Sequence, residues 1–330
     1  MNFNSIKLVI TSLLFFLISS TFAQENSSDS TMFYLSKAKL DSIKIESRAD
    51  GRSEIKNRDE LKKLELFFKN NESYDEYLEC LSLISSSFNQ EAKWDSLLFY
   101  LKKGIVEVIR PKKTTHKQLI NIFYNRYASF LVEAGQYLNS KEIHEEHLDY
   151  LRKNDTLGLA REYNNFAVLL NHIKESEQSL RYYDSCLTVL KRSSLDTASG
   201  LAQTAYLNQS MPKMNMGQFQ EALESLRKSE INLVNMNMQD NPGEIIITSL
   251  YYAYVYCFKN EFPEDLENAS KYAEKGYEML YKINKEHYYM TYFYLILADI
   301  EERKGNFAKS VNFNKQAIGL KTKLHGEFND

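Results

Sequence analysis

Two histidines and two glutamates stand together in the segment His144-Glu145-Glu146-His147. Imidazole and carboxylate groups are common zinc ligands, so this segment is the first place to look for metal chemistry. A zinc-protease helix carries its histidines four residues apart with a glutamate directly after the first, whereas these two histidines are three residues apart. No third ligand follows nearby. We predict that both histidines lie on the inward face of a helix, and we predict no metal site and no cofactor.

Other residues that could do chemistry are isolated from one another. The sequence has no nucleophile elbow, no glycine-rich phosphate loop and no paired-carboxylate motif, and His172 has no partner residue near it in the sequence. We therefore predict that the protein is not an enzyme.

The three cysteines, Cys80, Cys186 and Cys257, lie far apart and fall within helical apolar patterns without any CxxC pair. We predict buried free thiols that pack as small apolar groups. A disulfide between two repeats is the alternative if the compartment is oxidising.

The composition points to an all-helical fold. The chain of 330 residues has 43% hydrophobic and 26% charged residues, which is ordinary for a folded protein, and only 11 glycines and 4 prolines for turns. Its 41 basic and 44 acidic residues leave a net charge of −3, so no electrostatic surface for nucleic acid or an anionic membrane is indicated.

The first 23 residues are typical of a secretory signal peptide. Lys7 precedes an apolar run over residues 8–18, and Thr21-Phe22-Ala23 has small residues at the first and third places of a cleavage site. An uncleaved anchor is the alternative, although the apolar run is about half of the roughly 20 residues that a spanning helix needs. We predict cleavage after Ala23 and an exported protein, periplasmic or secreted, without a membrane span in the mature chain.

Four regions follow from the patterning. Residues 1–23 form the signal peptide and residues 24–30 a mobile polar lead. Residues 31–70 carry apolar residues at helical spacing on both sides of a turn and are predicted to form an N-terminal helical cap. Residues 71–330 are predicted to form a repeat array, which such a cap would shield from water.

The array repeats a pattern of two amphipathic helices separated by a short break. Small residues recur in the first helix of each copy with steps of 43, 39, 43, 43 and 45 residues. These residues are Ser85, Ala128, Ala167, Ser210, Ala253 and Ala298. Glycines at 135, 217 and 305 occupy the break, where positive φ is needed, and an aromatic residue two positions later is expected to open the second helix and to fill the space between the two helices.

The strongest copies are YNNFAVLL at 163–170, GQFQEALESL at 217–226 and GNFAKSVNFNKQAI at 305–318. These segments resemble the tetratricopeptide repeat family, in the longer form of kinesin light chain-like repeats, over about residues 74–330. The resemblance implies a right-handed α-α superhelix, or solenoid, of about six helix-turn-helix repeats. Two departures are expected to disturb it: Pro212 interrupts the first helix of the fourth repeat, and residues 260–268 lengthen the turn of the fifth.

In this family the first helices line a concave groove, which implies a partner-binding surface rich in amides in its early half and in aromatic and aliphatic residues in its later half. The residues implied by the register are Asn125, Ser129, Arg161, Asn164, Val168, Asn171, His172, Leu207, Met211, Asn215, Leu250, Tyr254, Phe258, Tyr292, Leu295, Asp299 and Arg303. Amides can bond an extended peptide backbone and exposed rings can hold apolar side chains, so we predict a protein or peptide partner.

Two functions remain open at this stage. The first is a non-catalytic exported scaffold that binds its partner in the cell envelope. The second is the sensing region of a two-component kinase, a transcriptional regulator or a caspase-like protein, with an effector part beyond residue 330 or on another chain. A role in glycan uptake is a third, weaker alternative, because the lipid-acceptor cysteine of such surface proteins is missing after the apolar run. The sequence leaves the oligomeric state open.

Overall fold

Every regular element in the described part of the chain is an α-helix. The computed structural model describes residues 28–49, 57–90, 93–109, 117–193 and 198–326. The predicted signal peptide lies outside these residues. None of the described helices combines the length and the apolar character that a membrane span requires. The all-α prediction is confirmed.

The chain forms two compact units, Met1–Leu119 and Ile120–Asp330. The helices are α1 (Ser28–Ala49), α2 (Arg58–Asn70), α3 (Tyr74–Gln90), α4 (Trp94–Ile109), α5 (Lys117–Glu133), α6 (Tyr137–Asn154), α7 (Thr156–His172), α8 (Ser176–Arg192), α9 (Ala198–Asn215), α10 (Phe219–Asn235), α11 (Pro242–Lys259), α12 (Pro263–Asn284), α13 (Tyr289–Arg303) and α14 (Phe307–Gly326).

The first unit contains α1 to α4. Helix α1 begins at Ser28, three residues before the predicted cap, and α2 lies within it; Leu40, Leu61 and Phe68 from these two helices are fully buried. Lys44 of α1 forms an ion pair with Glu79 of α3 at 2.7 Å, so the cap is joined to the helices that follow it.

The second unit repeats one helix pair along the chain. Helices α7 and α8, α9 and α10, α11 and α12, and α13 and α14 pack as pairs, while the first helices α7, α9 and α11 each contact the next first helix. The predicted small residues are buried at the pair contact: Ser140 Oγ donates to the carbonyl of Ala128 at 3.0 Å, and Ser179 Oγ donates to that of Ala167 at 2.7 Å. The predicted repeat register is therefore confirmed.

The turns within the pairs use the predicted glycines. Gly135, Gly217 and Gly305 have φ of 71°, 75° and 79°, a region that favours residues without a Cβ. The backbone amide after each glycine donates to a carbonyl in the last turn of the first helix. Gln218 N, for example, donates to Lys213 O at 2.8 Å, which is the bond pattern of a Schellman cap. The aromatic residue opens the second helix as expected, but Phe307 does not fill the space between helices, because its side chain is mostly exposed.

Lys174 occupies the glycine position of the α7–α8 turn with φ of 69°. Positive φ destabilises a residue with a Cβ by about 1 kcal/mol relative to glycine. Lys174→Gly is therefore expected to raise the free energy of unfolding by about that amount. Lys174→Ala keeps the strained backbone and should change stability little. Urea titration of the two variants checks this, and equal stabilisation by both would assign the effect to the lost side chain instead of to φ.

Two expected irregularities are wrong. Helix α9 runs through Pro212, and the amide of Met216 bonds to the Pro212 carbonyl at 3.1 Å, so the last turn closes normally. Residues 260–268 do not form a longer turn. Instead α12 begins at Pro263, which suits the first position of a helix because it has no N–H to leave unbonded, and the extra residues add one turn to that helix.

The cysteines follow the prediction of buried thiols. Cys80, Cys186 and Cys257 are all buried and free. Burial raises the pKa of Cys186 to about 12, so this thiol stays protonated and unreactive.

Candidate binding surface of the second unit

A row of hydrogen-bonded side-chain amides crosses four first helices of the second unit. Asn165 Nδ2 of α7 donates to Asn125 Oδ1 of α5 at 3.2 Å, and Asn164 Nδ2 donates to Asn165 Oδ1 at 3.4 Å. Asn208 Nδ2 of α9 donates to Asn164 Oδ1 at 3.3 Å. The Tyr251 hydroxyl of α11 completes the row by donating to Asn208 Oδ1 at 3.1 Å. We call these five residues the amide row.

The half-buried amides of the row, Asn125, Asn165 and Asn208, keep hydrogen-bonding capacity after these contacts. An asparagine side chain has two N–H donors and an oxygen with two lone pairs, and the row uses one of each on its inner members. A shorter bridge lies nearer the helix ends, where Asn215 Nδ2 donates to Asn171 Oδ1 at 3.0 Å. The surface can therefore bond a guest's amides or hydroxyls while its own side chains stay fixed by each other.

An aromatic patch adjoins the amide row on α11 and on α13 with its N-cap residue. It consists of Tyr254, Phe258, Tyr288 and Tyr292, of which the last three are exposed. The ring centroids of Tyr254 and Phe258 are 6.4 Å apart, and those of Tyr288 and Tyr292 are 6.2 Å apart. Tyr251 links the two features: burial, with the nearby phenols of Tyr289 and Tyr292, raises its pKa to about 12.

An ion pair lies beside the patch. Arg303 Nη2 lies 2.9 Å from Asp299 Oδ2, and Arg303 Nη1 donates to the backbone carbonyl of Cys257 at 2.7 Å. Cys257 Sγ in turn lies 2.8 Å from Asp299 Oδ2. The guanidinium is thus held by α11 as well as by its own helix, which gives the patch a fixed polar edge.

The two histidines of the His-Glu-Glu-His segment are buried against a glutamate of the next pair. Nδ1 of His144 lies 2.5 Å from Glu162 Oε1, and Nδ1 of His147 lies 3.0 Å from Glu162 Oε2. Nε2 of His147 lies 3.0 Å from Asn121 Oδ1, whose amide nitrogen donates to Asp155 at 3.2 Å. His147 therefore has an oxygen atom near each of its two ring nitrogens.

This buried cluster joins three helices. His147 stacks on Tyr124 of α5 with centroids 4.4 Å apart, and His144 stacks on Phe166 of α7 at 5.2 Å. Burial alone raises the pKa of Glu162, but the bonds to His144 and His147 outweigh it and hold that pKa below its ordinary value. Among the described residues no group of three His, Cys, Asp or Glu side chains is arranged to hold a metal ion. The inward orientation predicted for both histidines is confirmed.

Comparison with solved structures identifies the architecture. The apo form of RapI superposes with a TM-score of 0.67 at 12% identity, over 89% of this chain and 99% of RapI. A Signal Transduction ATPase with Numerous Domains that has a tetratricopeptide repeat sensor, from Pyrococcus horikoshii, gives 0.57 at 16% identity over 88% of this chain and 42% of that one. The fold is that of the tetratricopeptide repeat. A Rap protein in complex with competence and sporulation factor gives 0.57 at 12%, over 82% and 70%. No family model and no curated protein matches the sequence.

In the tetratricopeptide register, most of the predicted groove residues lie on the surface of the second unit. Exposed or half-buried side chains belong to Asn125, Ser129, Arg161, Val168, Asn171, His172, Met211, Asn215, Tyr254, Phe258, Tyr292, Leu295, Asp299 and Arg303. Leu207 and Leu250 are instead buried at 5% and 4% exposure. They face the following first helix and pack into the core, so they are not available to a partner. Asn164 is also buried, and it contributes through its bonds within the amide row.

Four residues of the surface were missing from the prediction: Asn165, Asn208, Tyr251 and Tyr288. A signal for three of them was present. Asn165, Asn208 and Tyr251 recur at the 43-residue step of the tetratricopeptide repeats, one position after the residues that were predicted. Adjacent residues of a helix lie 100° apart around its axis, so a shift of one position moves a side chain from the core to the surface.

Proposed function

We propose that the second unit is a non-catalytic scaffold that binds a protein or peptide through the amide row and the aromatic patch. The observation that carries the proposal is the aromatic patch. Phe258, Tyr288 and Tyr292 are 60%, 50% and 42% exposed on neighbouring helices, next to fixed amide donors. Exposed apolar surface beside convergent polar groups is the usual composition of a peptide-binding surface.

The two features suit different parts of one guest. Rings offer apolar contact area at little cost in side-chain entropy, so the patch suits aliphatic or aromatic side chains. The amides suit the backbone of an extended segment, because their spare N–H groups and lone pairs can bond successive peptide groups. The Rap conjugation gene regulator of the plasmid pLS20, solved in complex with the Phr* peptide, has the same fold, which supports a peptide guest.

We place this function in the cell envelope. The proposal rests on residues 1–23, whose basic start, apolar run and small-residue site are typical of an export signal. Sequencing the amino terminus of the protein from an envelope fraction tests it: we expect Gln24 to be first, and an intact Met1 in the cytoplasmic fraction would contradict export.

The binding surface is tested by Phe258→Ser and Tyr292→Ser. Each removes an exposed ring, so folding should be preserved while capture of a partner from envelope extract falls by about tenfold or more, the usual effect of losing an aromatic anchor. The measurement is quantitative mass spectrometry of proteins retained on the immobilised mature chain.

Tyr281→Ser is the matched control. Tyr281 is 49% exposed on α12, outside the aromatic patch. Its loss should leave the retained proteins unchanged. If all three variants retain the same proteins at the same level, the aromatic patch is not the binding surface.

A sensing region is the second proposal. The similar ATPase from Pyrococcus horikoshii is described as carrying a tetratricopeptide repeat sensor, and this chain covers 42% of its length. Reading the gene past the codon for Asp330 tests it: an open reading frame that continues into an effector domain supports a sensor, whereas a stop codon and no adjacent effector gene favour the separate scaffold.

A further inference from the structure

The aromatic patch also has the features of a cation-binding site. We propose that it holds a lysine or arginine side chain of the guest, with the cation over the face of a tyrosine ring. This inference rests on the proposed peptide-binding function and names the side chain that anchors the guest. The face of an aromatic ring carries partial negative charge and its edge partial positive charge, so a cation placed over the face is attracted.

The tyrosine rings at the start of α13 are steeply inclined to one another. Tyr292 makes an interplanar angle of 81° with Tyr288 and of 53° with Tyr289, at centroid distances of 6.2 Å and 6.3 Å. Rings from α11 adjoin them, because the phenol of Tyr292 adds to burial in raising the pKa of Tyr254. Rings in different planes, several of them exposed, can contact a cation and the chain that carries it from more than one side.

The chain's own lysines cover aromatic rings elsewhere in the second unit. Lys228 Nζ lies 6.0 Å from the ring centroid of Tyr206, and Lys259 Nζ lies 5.1 Å from that of Phe262. Within the described ranges, no lysine or arginine of the chain lies over a ring of the aromatic patch in this way. The cation for these rings must therefore come from the guest.

The charges around the patch do not oppose a cation. Charged residues of both signs lie on the Tyr292 side of α13 and just before that helix: Lys285, Glu286, Asp299, Glu302 and Arg303. Arg303 is bonded to Asp299 at 2.9 Å, and Glu286 is bonded to Lys323 at 2.7 Å. Because acids and bases are mixed here, no excess of positive charge repels a cation, and the ring faces disfavour an anion.

Lysine and arginine also suit the apolar part of the patch. Both side chains carry an aliphatic stem that can lie along apolar surface while the charged end stays near water. Phe258 is 60% exposed and Tyr292 is 42% exposed, so the patch offers ring area for the stem and remains open to solvent at the cation. A cationic side chain thus uses both properties of the rings.

Five peptide mixtures test the proposal on the immobilised full chain. The peptides have about ten residues, which span roughly 33 Å when extended. All have mixed alanine, leucine and serine sequences around one fixed central residue, which is arginine, lysine, citrulline, norleucine or glutamate. Citrulline has the shape of arginine without its charge, and norleucine resembles the stem of lysine without the ammonium group.

The fixed residue should decide how much peptide is retained. We expect the arginine mixture to be retained about fivefold more than the citrulline mixture, and the lysine mixture about fivefold more than the norleucine mixture, the usual size of a cation–π contact. The glutamate mixture should be retained least. Quantitative mass spectrometry of the bound peptides measures these ratios.

Variants of Tyr292 connect the preference to the ring face. Tyr292→Leu keeps an apolar side chain but has no ring, so the ratio of arginine to citrulline peptides should fall to about one. Tyr292→Phe keeps the ring face and should keep the preference. Tyr281→Leu is the matched control, because Tyr281 is 49% exposed on α12 outside the patch, and it should leave the ratio unchanged.

Three results would overturn the proposal: equal retention of arginine and citrulline peptides, a preference that Tyr292→Leu leaves intact, or a preference that Tyr292→Phe also removes, which would assign it to the hydroxyl. The proposed function fails separately. Norleucine and citrulline peptides retained as well as the cationic ones would leave a peptide-binding patch without the cation preference, whereas no retention of any mixture would count against peptide binding itself.

Discussion

Glu162→Ala is expected to lower the free energy of unfolding by about 1–3 kcal/mol, the cost of leaving a buried hydrogen-bonding group without its partner. Glu162 is 2% exposed, and its two carboxylate oxygens lie within 3.0 Å of His144 and His147. Without the carboxylate, the His144 and His147 rings stay buried but lose the oxygen atoms that face their Nδ1 atoms. Urea denaturation at pH 7, followed by circular dichroism at 222 nm, measures the effect.

The stabilisation by Glu162 should depend on pH with a defined sign. The bonds to His144 and His147 hold the pKa of Glu162 below its ordinary value in the folded state despite burial, which acts to raise it. A depressed folded-state pKa contributes stability that is fully present above the unfolded-state pKa, about 4.3, and is lost as pH falls through the folded-state pKa. The stability difference between the natural chain and Glu162→Gln should therefore shrink as pH falls below about 4.

Glu177→Ala is the control for this cluster. Glu177 is exposed in the first turn of the neighbouring α8, so its loss should change stability by less than about 0.5 kcal/mol. If Glu162→Ala costs no more than Glu177→Ala, the buried cluster does not hold α6 and α7 together.

Gly276→Ala is expected to cost about 1–3 kcal/mol, although alanine is normally the better helix former by about 1 kcal/mol. A Cβ at position 276 would overlap Phe293 Cζ and lie 2.6 Å from Phe293 Cε1 and 3.1 Å from Ser249 Cβ. Phe293 is fully buried, so moving its ring would disturb the close packing around it. Thermal and urea unfolding of the variant measure the loss.

Gly319→Ala is expected to have the opposite effect on the free energy of unfolding. Gly319 is exposed within α14 and a Cβ there would meet no atom within 4 Å, so this change should stabilise by up to about 1 kcal/mol. Combining Gly276→Ala with Phe293→Leu should recover part of the loss, because the smaller side chain vacates the overlap. If the two changes were simply additive, the steric explanation would fail.

The repeat register was predictable because it depends on one short-range requirement, a small residue where two helices approach closely. The same periodicity marks an inward position of the second helices that is occupied by His147, Cys186, Ser229, Gly276 and Ala317, all of them buried. Sequence spacing therefore predicted that His147 turns inward. It could not predict Glu162 as the partner, because that contact joins two helix pairs and depends on their packing.

The groove prediction failed where a single helix position separates surface from core. Leu207 and Leu250 are buried by the next first helix, whereas the equivalent Leu295 is exposed because the described chain places no further first helix against α13. Periodicity identifies a helix face, but only the neighbouring helices decide whether that face is covered. The pairing of Asn165 with Asn125 is likewise a contact between repeats.

The amide row also has a direction. From Tyr251 to Asn125 every bond points the same way, so the donors all face α5 and the acceptors all face α11. Aligned dipoles add, which makes the two ends of the row chemically unlike: the Asn125 end offers N–H groups and the Tyr251 end offers an oxygen. A polypeptide also has a direction, from its amino to its carboxyl end, so under the proposed peptide-binding function we expect a peptide and its reversed sequence to bind with different affinities.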